Sequence, residues 1–183
     1  TKTVATWLGI AAGLAGIEHG YFEILQGNVR PEGLMIISMG PPCDPEVAWN
    51  ICEPAMTVFP SFLITGILAV VFGLAVLIWS VGFIHRNHGG LVLMLLSVGL
   101  LLFGGGLFPP LISFIGGAAA MRINRPITRE PGGITRFVAK LWPWPLALLL
   151  VWLLGQFPVG YFFNDFLKSI MYFGLALILT MLP

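Results

Sequence analysis

The residues with the clearest chemical potential form one short stretch near the start of the chain, where Glu18, His19 and Glu23 stand in the sequence EHGYFE. His19 and Glu23 are four residues apart, so on a helix they are neighbours that can share a proton, a cation or a ligand. The surrounding segment, residues 4–26, is otherwise apolar. Ionisable side chains are costly inside a bilayer and usually mark a functional site. The favoured interpretation is that His19 and Glu23 form a satisfied pair or lie in the headgroup zone near the helix end. The alternative is a candidate ion, proton or ligand site at Glu18, His19 and Glu23.

Composition places the chain among integral membrane proteins. Of its 183 residues, 57% are hydrophobic and only 9% are charged, whereas soluble domains carry about 25% charged residues. A membrane helix takes roughly 20 apolar residues, so the length allows roughly four to six membrane segments. We predict an all-α fold, a polytopic helical bundle that forms one integral membrane domain over residues 1–183. The expected partners are the lipid bilayer and other membrane subunits or further copies of the chain, and no basic, aromatic-rich patch favours nucleic acid.

Apolar segments predict four full transmembrane helices, at about residues 4–26, 59–84, 141–157 and 166–182. In the first helix, glycines recur every three or four residues and form one face, at Gly9, Gly13, Gly16 and Gly20. The second helix has a matching face of small residues, at Gly66, Ala69, Gly73 and Ser80. Small residues let two helix backbones approach closely. We predict that these two faces pack against each other.

A fifth apolar segment, residues 91–121, is interrupted in the middle by the sequence GGGLFPP. Its glycines and prolines disfavour a regular helix, at Gly104, Gly105, Gly106, Pro109 and Pro110. The segment is either one kinked helix or two half-helices that enter and leave the membrane on the same side. The basic loop at 122–140 and Arg86 both favour the cytoplasm, which predicts the second geometry. Such breaks expose backbone groups that can line a pore or a cavity.

This topology places both termini in the cytoplasm and the loop at residues 28–57 outside it. The loop is acidic, with four carboxylates against one arginine. It holds Cys43 and Cys52, whose spacing fits neither a metal knuckle nor a CxxC redox motif. A disulfide is predicted if the loop faces an oxidising compartment, and two unpaired buried thiols are the alternative. The pair Glu53-Pro54 is predicted to open the second helix, with Glu53 favoured at the positive helix end.

Three functions of different classes fit these patterns. The first is a structural or interaction subunit of a membrane assembly, in which the buried charges are paired. The second is a cation or proton channel or transporter, in which Glu18, His19 and Glu23 lead to the glycine break. The third is a membrane-embedded enzyme acting on a lipid or a quinone, with His19 and Glu23 as acid and base or as metal ligands. No catalytic residue, metal or cofactor is assigned, because no nucleophile elbow, phosphate loop or dinucleotide motif occurs.

Overall fold

The structure, a computed structural model, describes residues 1–38, 52–124, 132–133, 137, 140–141 and 143–180. The chain divides into two compact units, Thr1–Ile123 and Asn124–Pro183, and each is described by itself. The described residues are mostly helical with little sheet, as the composition predicts. Among them, one helix, Phe62–Gly82, is long and apolar enough to cross a membrane. Length and composition therefore support one of the four predicted full spans within the described residues.

The elements follow one another along the chain in a simple order. In the first unit they are α1 (Lys2–Gln26), β1 (Met35–Ile37), β2 (Pro54–Met56), α2 (Phe62–Gly82), α3 (Gly89–Leu102) and α4 (Phe108–Ala120). In the second unit they are α5 (Pro143–Phe162) and α6 (Asn164–Thr180).

Helices α1 and α2 are antiparallel and pack through their small residues. A methyl group added to Gly13 would lie 2.8 Å from the carbonyl oxygen of Gly73. One added to Gly20 would lie 2.6 Å from the carbonyl oxygen of Gly66. Since real side chains do not approach so closely, only glycine permits this backbone contact. The predicted pairing of the two glycine faces is thereby confirmed, except that Gly16 faces a different helix.

Helix α1 is also covered by α3 and α4. An added methyl group at Gly16 would collide with Leu100 of α3, at 2.8 Å from its nearest side-chain carbon. On α4, the corresponding position at Gly116 lies 3.2 Å from Leu8 and 3.3 Å from the carbonyl oxygen of Ala5. The first helix is therefore the central element of this unit, and most of its surface is in contact with protein.

The interrupted segment forms two helices that run antiparallel, α3 and α4, rather than one kinked helix. The Ser97 hydroxyl on α3 donates to the Ser113 hydroxyl on α4 at 2.8 Å, and Gly90 near the start of α3 lies against Gly117 near the end of α4. The two proline residues of GGGLFPP occupy the first turn of α4, where the missing N–H has no helical partner to lose. The glycines form the turn between the helices.

The expected helix start at Glu53-Pro54 is wrong. Pro54 begins β2, which pairs antiparallel with β1 so that Met35 stands opposite Met56. Helix α2 begins at Phe62, and its N-cap Ser61 accepts a hydrogen bond from the Ile64 amide at 3.4 Å. The pairing between the strands uses the backbone groups that a helix starting at Pro54 would have needed.

Two predictions fall wholly or partly on the undescribed part of the chain. Cys43 lies outside the described residues, and no free cysteine occurs among those that are described, so the pairing of Cys43 with Cys52 stays a prediction. Most of the basic loop at 122–140 also lies outside them.

In the second unit, the two helices extend closer to each other than the predicted spans, of which the first ends at about residue 157 and the second begins at about residue 166. Helix α5 continues through Pro158 to Phe162, and α6 begins at Asn164. Phe163 joins them, and its amide donates to the Val159 carbonyl at 2.7 Å. Pro158 removes a single helical hydrogen bond, and the helix continues through it because the other backbone hydrogen bonds remain. Within α6, Lys168 Nζ lies 3.0 Å from Asp165 Oδ1 and forms a local ion pair with it.

Candidate functional site

A buried group of four polar side chains lies near the end of α1, and we call it the polar cluster: His19, Glu23, Ser38 and Glu53. His19 is 2% exposed, and its Nε2 lies 3.1 Å from Glu53 Oε2. Glu53 precedes β2 and keeps 29% of its side chain exposed. The histidine is thus joined to the surface of the unit through this one carboxylate, which the sequence had assigned to a helix cap.

Glu23 is the most deeply buried charged-type residue of the described chain, with no exposed surface. The Ser38 hydroxyl donates to its Oε1 at 3.0 Å. Ser38 itself is held by α1, because Gln26 Nε2 donates to the carbonyl oxygens of Ile37 at 3.2 Å and Ser38 at 2.6 Å. One turn of α1 therefore carries both the buried carboxyl group and the amide that positions its hydrogen-bond donor.

The glycine turn between α3 and α4 closes directly over these side chains. An added methyl group at Gly104 would collide with both carboxyl oxygens of Glu23. At Gly106 it would lie 2.6 Å from His19 Nε2. Both glycines have positive φ, 86° and 79°, a region that disfavours any side chain. The structure thus brings together two sequence features predicted separately, the EHGYFE stretch and the glycine break.

The strands hold this turn in place. The Gly104 amide donates to the Met56 carbonyl at 2.8 Å, and the Val58 amide donates to the Leu102 carbonyl at 3.1 Å. On the β1 side, the Thr57 amide donates to the Leu34 carbonyl at 2.8 Å. The chain following Glu53 is therefore bonded to β1 on one side and to the glycine turn on the other, which fixes Glu53 beside His19.

The other predicted site residues lie apart from the polar cluster. Glu18 is half-buried and interacts electrostatically with His19 and Glu53, and no hydrogen bond joins it to the cluster within the described residues. Gly105 faces Leu100. Pro109 and Pro110 are buried in the first turn of α4, where they set the start of the helix.

Two buried polar atoms of the cluster have no hydrogen-bond partner in the part of the chain that the structure describes. His19 Nδ1 and Glu23 Oε2 are buried, and neither has a hydrogen-bond partner among the described residues. Such atoms can hold a proton or meet a small polar ligand, which is the chemistry expected of a histidine and a carboxyl group. No group of three or more His, Cys, Asp or Glu side chains in the described ranges is arranged to hold a metal ion, so metal and cofactor stay unassigned.

Sequence reasoning missed Ser38 and misread Glu53. Both come from the loop between α1 and α2, at 15 and 34 residues from their partners in α1. The helical period relates residues within one element only, so no local signal identifies these contacts. Gln26 had a signal, since it falls on the same side of α1 as His19 and Glu23.

Comparisons of this chain with protein-family models, with curated proteins and with solved structures give no match. The polar cluster, the helix packing and the surface of the described residues are therefore the features from which a function can be inferred.

Proposed function

We propose that this chain is a small integral membrane protein that acts as a structural or interaction subunit of a membrane assembly. The observation that carries this proposal is the closure of the polar cluster. His19 and Glu23 are almost fully buried, each has a hydrogen-bond partner within the unit, and two glycines cover them. His19 Nδ1 and Glu23 Oε2 keep no partner among the described residues, but the bonds to Glu53 and Ser38 tie α1 to the segments on either side of the strands and fix how these elements are arranged.

The packing beyond the cluster supports the same proposal. The backbone of α1 contacts the backbone of α2 where Gly20 meets Gly66 and where Gly13 meets Gly73. Between these two contacts, Leu100 of α3 covers Gly16. A conduction path needs a lining of polar groups or water along its length. Beyond the cluster, the contacts along α1 are instead close packing between helix backbones and side chains, which favours a packed interior.

The outer surface supports membrane embedding. Helix α2 exposes a continuous apolar stripe, at Ile64, Ile67, Val71, Leu74, Ile78 and Val81. In water this surface would oppose solubility, whereas acyl chains or a partner helix would cover it at no such cost. The 21 residues of α2 span about 31 Å at 1.5 Å per residue, which matches the hydrocarbon thickness of about 30 Å.

The helices α3 and α4 support a re-entrant hairpin. They contain 14 and 13 residues, so each is about 20 Å long and too short to cross the hydrocarbon core. Because they are antiparallel, Arg86 and Arg122 flank the same end of the pair, as the positive-inside rule expects of a cytoplasmic end. We propose that this end is cytoplasmic and that the loop at 28–57 lies on the opposite side.

A proton or cation channel or transporter is the second candidate. One observation favours it: the partly exposed Glu53 is hydrogen-bonded to buried His19, and unpartnered atoms of His19 and Glu23 lie beyond that contact. This arrangement resembles the entrance of a proton relay. The two candidate functions differ in whether protons that reach His19 and Glu23 continue across the membrane.

A flux measurement in liposomes separates the two candidates. With a pH-sensitive dye inside and a potassium gradient as driving force, we expect the native chain to give the same proton flux as empty liposomes. His19→Ala should lower the thermal stability, since it removes the bond to Glu53 and leaves a cavity. His85→Ala, at an exposed histidine, is the matched control. Proton flux in the native chain that Glu23→Gln abolishes without a change in melting would contradict the proposal.

A further inference from the structure

An open cleft of about 600 Å³ lies where α1 ends and α2 begins. Its walls include apolar side chains, among them Val29, Met35, Ile36 and Phe62, and two oppositely charged side chains, Arg30 and Glu32. Sites for small molecules typically have about 300–1,000 Å³ and a few polar groups among apolar ones. The cleft therefore has the size and the mixed lining of a ligand site, and none of its lining residues belongs to the polar cluster.

The two charges in the cleft define what would bind. Neither Arg30 nor Glu32 forms an ion pair or a hydrogen bond with another described residue. A guanidinium group matches the geometry of a phosphate and binds it through two parallel hydrogen bonds. A carboxylate two residues further along the chain can accept hydrogen bonds from a primary ammonium group. A ligand carrying both a phosphate and an ammonium group would satisfy both side chains.

The apolar surroundings indicate that the rest of the ligand is a hydrocarbon chain. Leu25 and Leu34, close to the cleft residues in sequence, are each 63% exposed, and Val58 and Phe59 before α2 are also exposed. If the unit is embedded as proposed above, the shared end of α1 and α2 lies at the depth of the lipid headgroups. Acyl chains would then run along apolar side chains while the headgroup occupies the cleft.

We propose that this cleft binds a phospholipid with a phosphate and a primary ammonium in its headgroup, with Arg30 on the phosphate and Glu32 on the ammonium. The inference rests on the proposed membrane embedding but not on whether protons are conducted. Gln26 links the cleft to the polar cluster. Its side chain lines the cleft and donates to the carbonyl oxygen of Ser38, whose hydroxyl donates to Glu23. Lipid binding should accordingly raise the melting temperature of the chain.

Native mass spectrometry of the delipidated full chain tests the proposal. The probes are dioleoyl phosphatidylethanolamine, dioleoyl phosphatidylglycerol, dioleoylglycerol and soluble phosphoethanolamine. We expect phosphatidylethanolamine to bind, and Arg30→Gln to weaken both phospholipids by about tenfold, because a charge-assisted pair to phosphate is lost. Glu32→Gln should weaken phosphatidylethanolamine alone. Arg86→Gln, at an exposed arginine beside α2's other end, should leave binding unchanged.

Three results would overturn the proposal. Equal binding of phosphatidylethanolamine by the native chain and Arg30→Gln would show that the cleft arginine does not hold the phosphate. If dioleoylglycerol bound as tightly as phosphatidylethanolamine, the contact would be non-specific apolar adsorption. If soluble phosphoethanolamine bound as tightly as phosphatidylethanolamine, the ligand would be a soluble phosphate compound. Both Arg30 and Glu32 are exposed, so we expect their variants to melt like the native chain, which keeps a loss of binding distinct from a loss of folding. A negative result here with no proton flux would leave the proposed structural function intact.

Discussion

Gly104→Ala is expected to destabilise the first unit by about 2–5 kcal/mol. The left-handed backbone at Gly104 costs any side chain about 1–2 kcal/mol. The added methyl group would also displace the Glu23 carboxyl group, and a buried polar group that loses its partner costs about 1–3 kcal/mol more. Chemical unfolding of the variant in detergent micelles measures the sum.

Alanine substitutions at two other glycines help to separate the backbone strain at Gly104 from the collision with Glu23. Gly27 also has a positive φ, 77°, with ψ −163°, and an added methyl group there would meet no atom within 4 Å. Gly27→Ala therefore reports the strain of a positive-φ backbone without any collision. Gly33 has open space around it and no positive φ, so Gly33→Ala should be nearly neutral. If Gly104→Ala cost no more than Gly33→Ala, Glu23 would not lie against the glycine turn, and the description of the polar cluster would be wrong.

Gly13→Leu is expected to disrupt the packing of α1 on α2, with a loss of at least about 3 kcal/mol or a failure to fold. The first carbon of the new side chain would already lie 2.8 Å from the Gly73 carbonyl oxygen and 2.9 Å from Leu77 Cβ. Neither neighbour can move away easily, because one is backbone and the other is attached directly to it. The melting temperature in detergent and the fraction of monodisperse protein after purification measure the effect.

Gly82→Leu is the matched control for Gly13→Leu. It makes the same change at the end of α2, where an added methyl group would meet nothing within 4 Å. We expect native stability within about 1 kcal/mol. Equal stability of the Gly13→Leu variant would mean that the two helices are further apart than the structure places them.

The sequence predicts the contact between α1 and α2 well because it depends on helix geometry alone. Glycines three or four residues apart must share a face, and two such faces can approach more closely than any others. Gly16 shows the limit of this reasoning. It belongs to the same pattern, yet it contacts Leu100 of α3, because a spacing identifies a face but does not say which neighbour covers each part of it.

The polar cluster could be predicted only in part, for a related reason. His19 and Glu23 belong to one helix, so their spacing indicates that they are neighbours. Their partners Glu53 and Ser38 arrive through the pairing of β1 with β2, which closes a long loop and leaves no periodic signal in three-residue strands. Glu53 beside Pro54 matched a common helix start, and this local pattern was overridden by the strand pairing.

Embedding of the first unit in a bilayer, with the α3–α4 hairpin entering and leaving on one side, is tested most directly by cysteine labelling. Single cysteines replace three exposed residues, Gly33, Arg86 and Arg122, and a membrane-impermeant maleimide is added to either side of sealed vesicles. The native chain, with Cys43 and Cys52, gives the background. We predict that positions 86 and 122 react from the same side and position 33 only from the other. Labelling of positions 86 and 122 from opposite sides, or of position 33 from the same side as 86, would contradict this architecture.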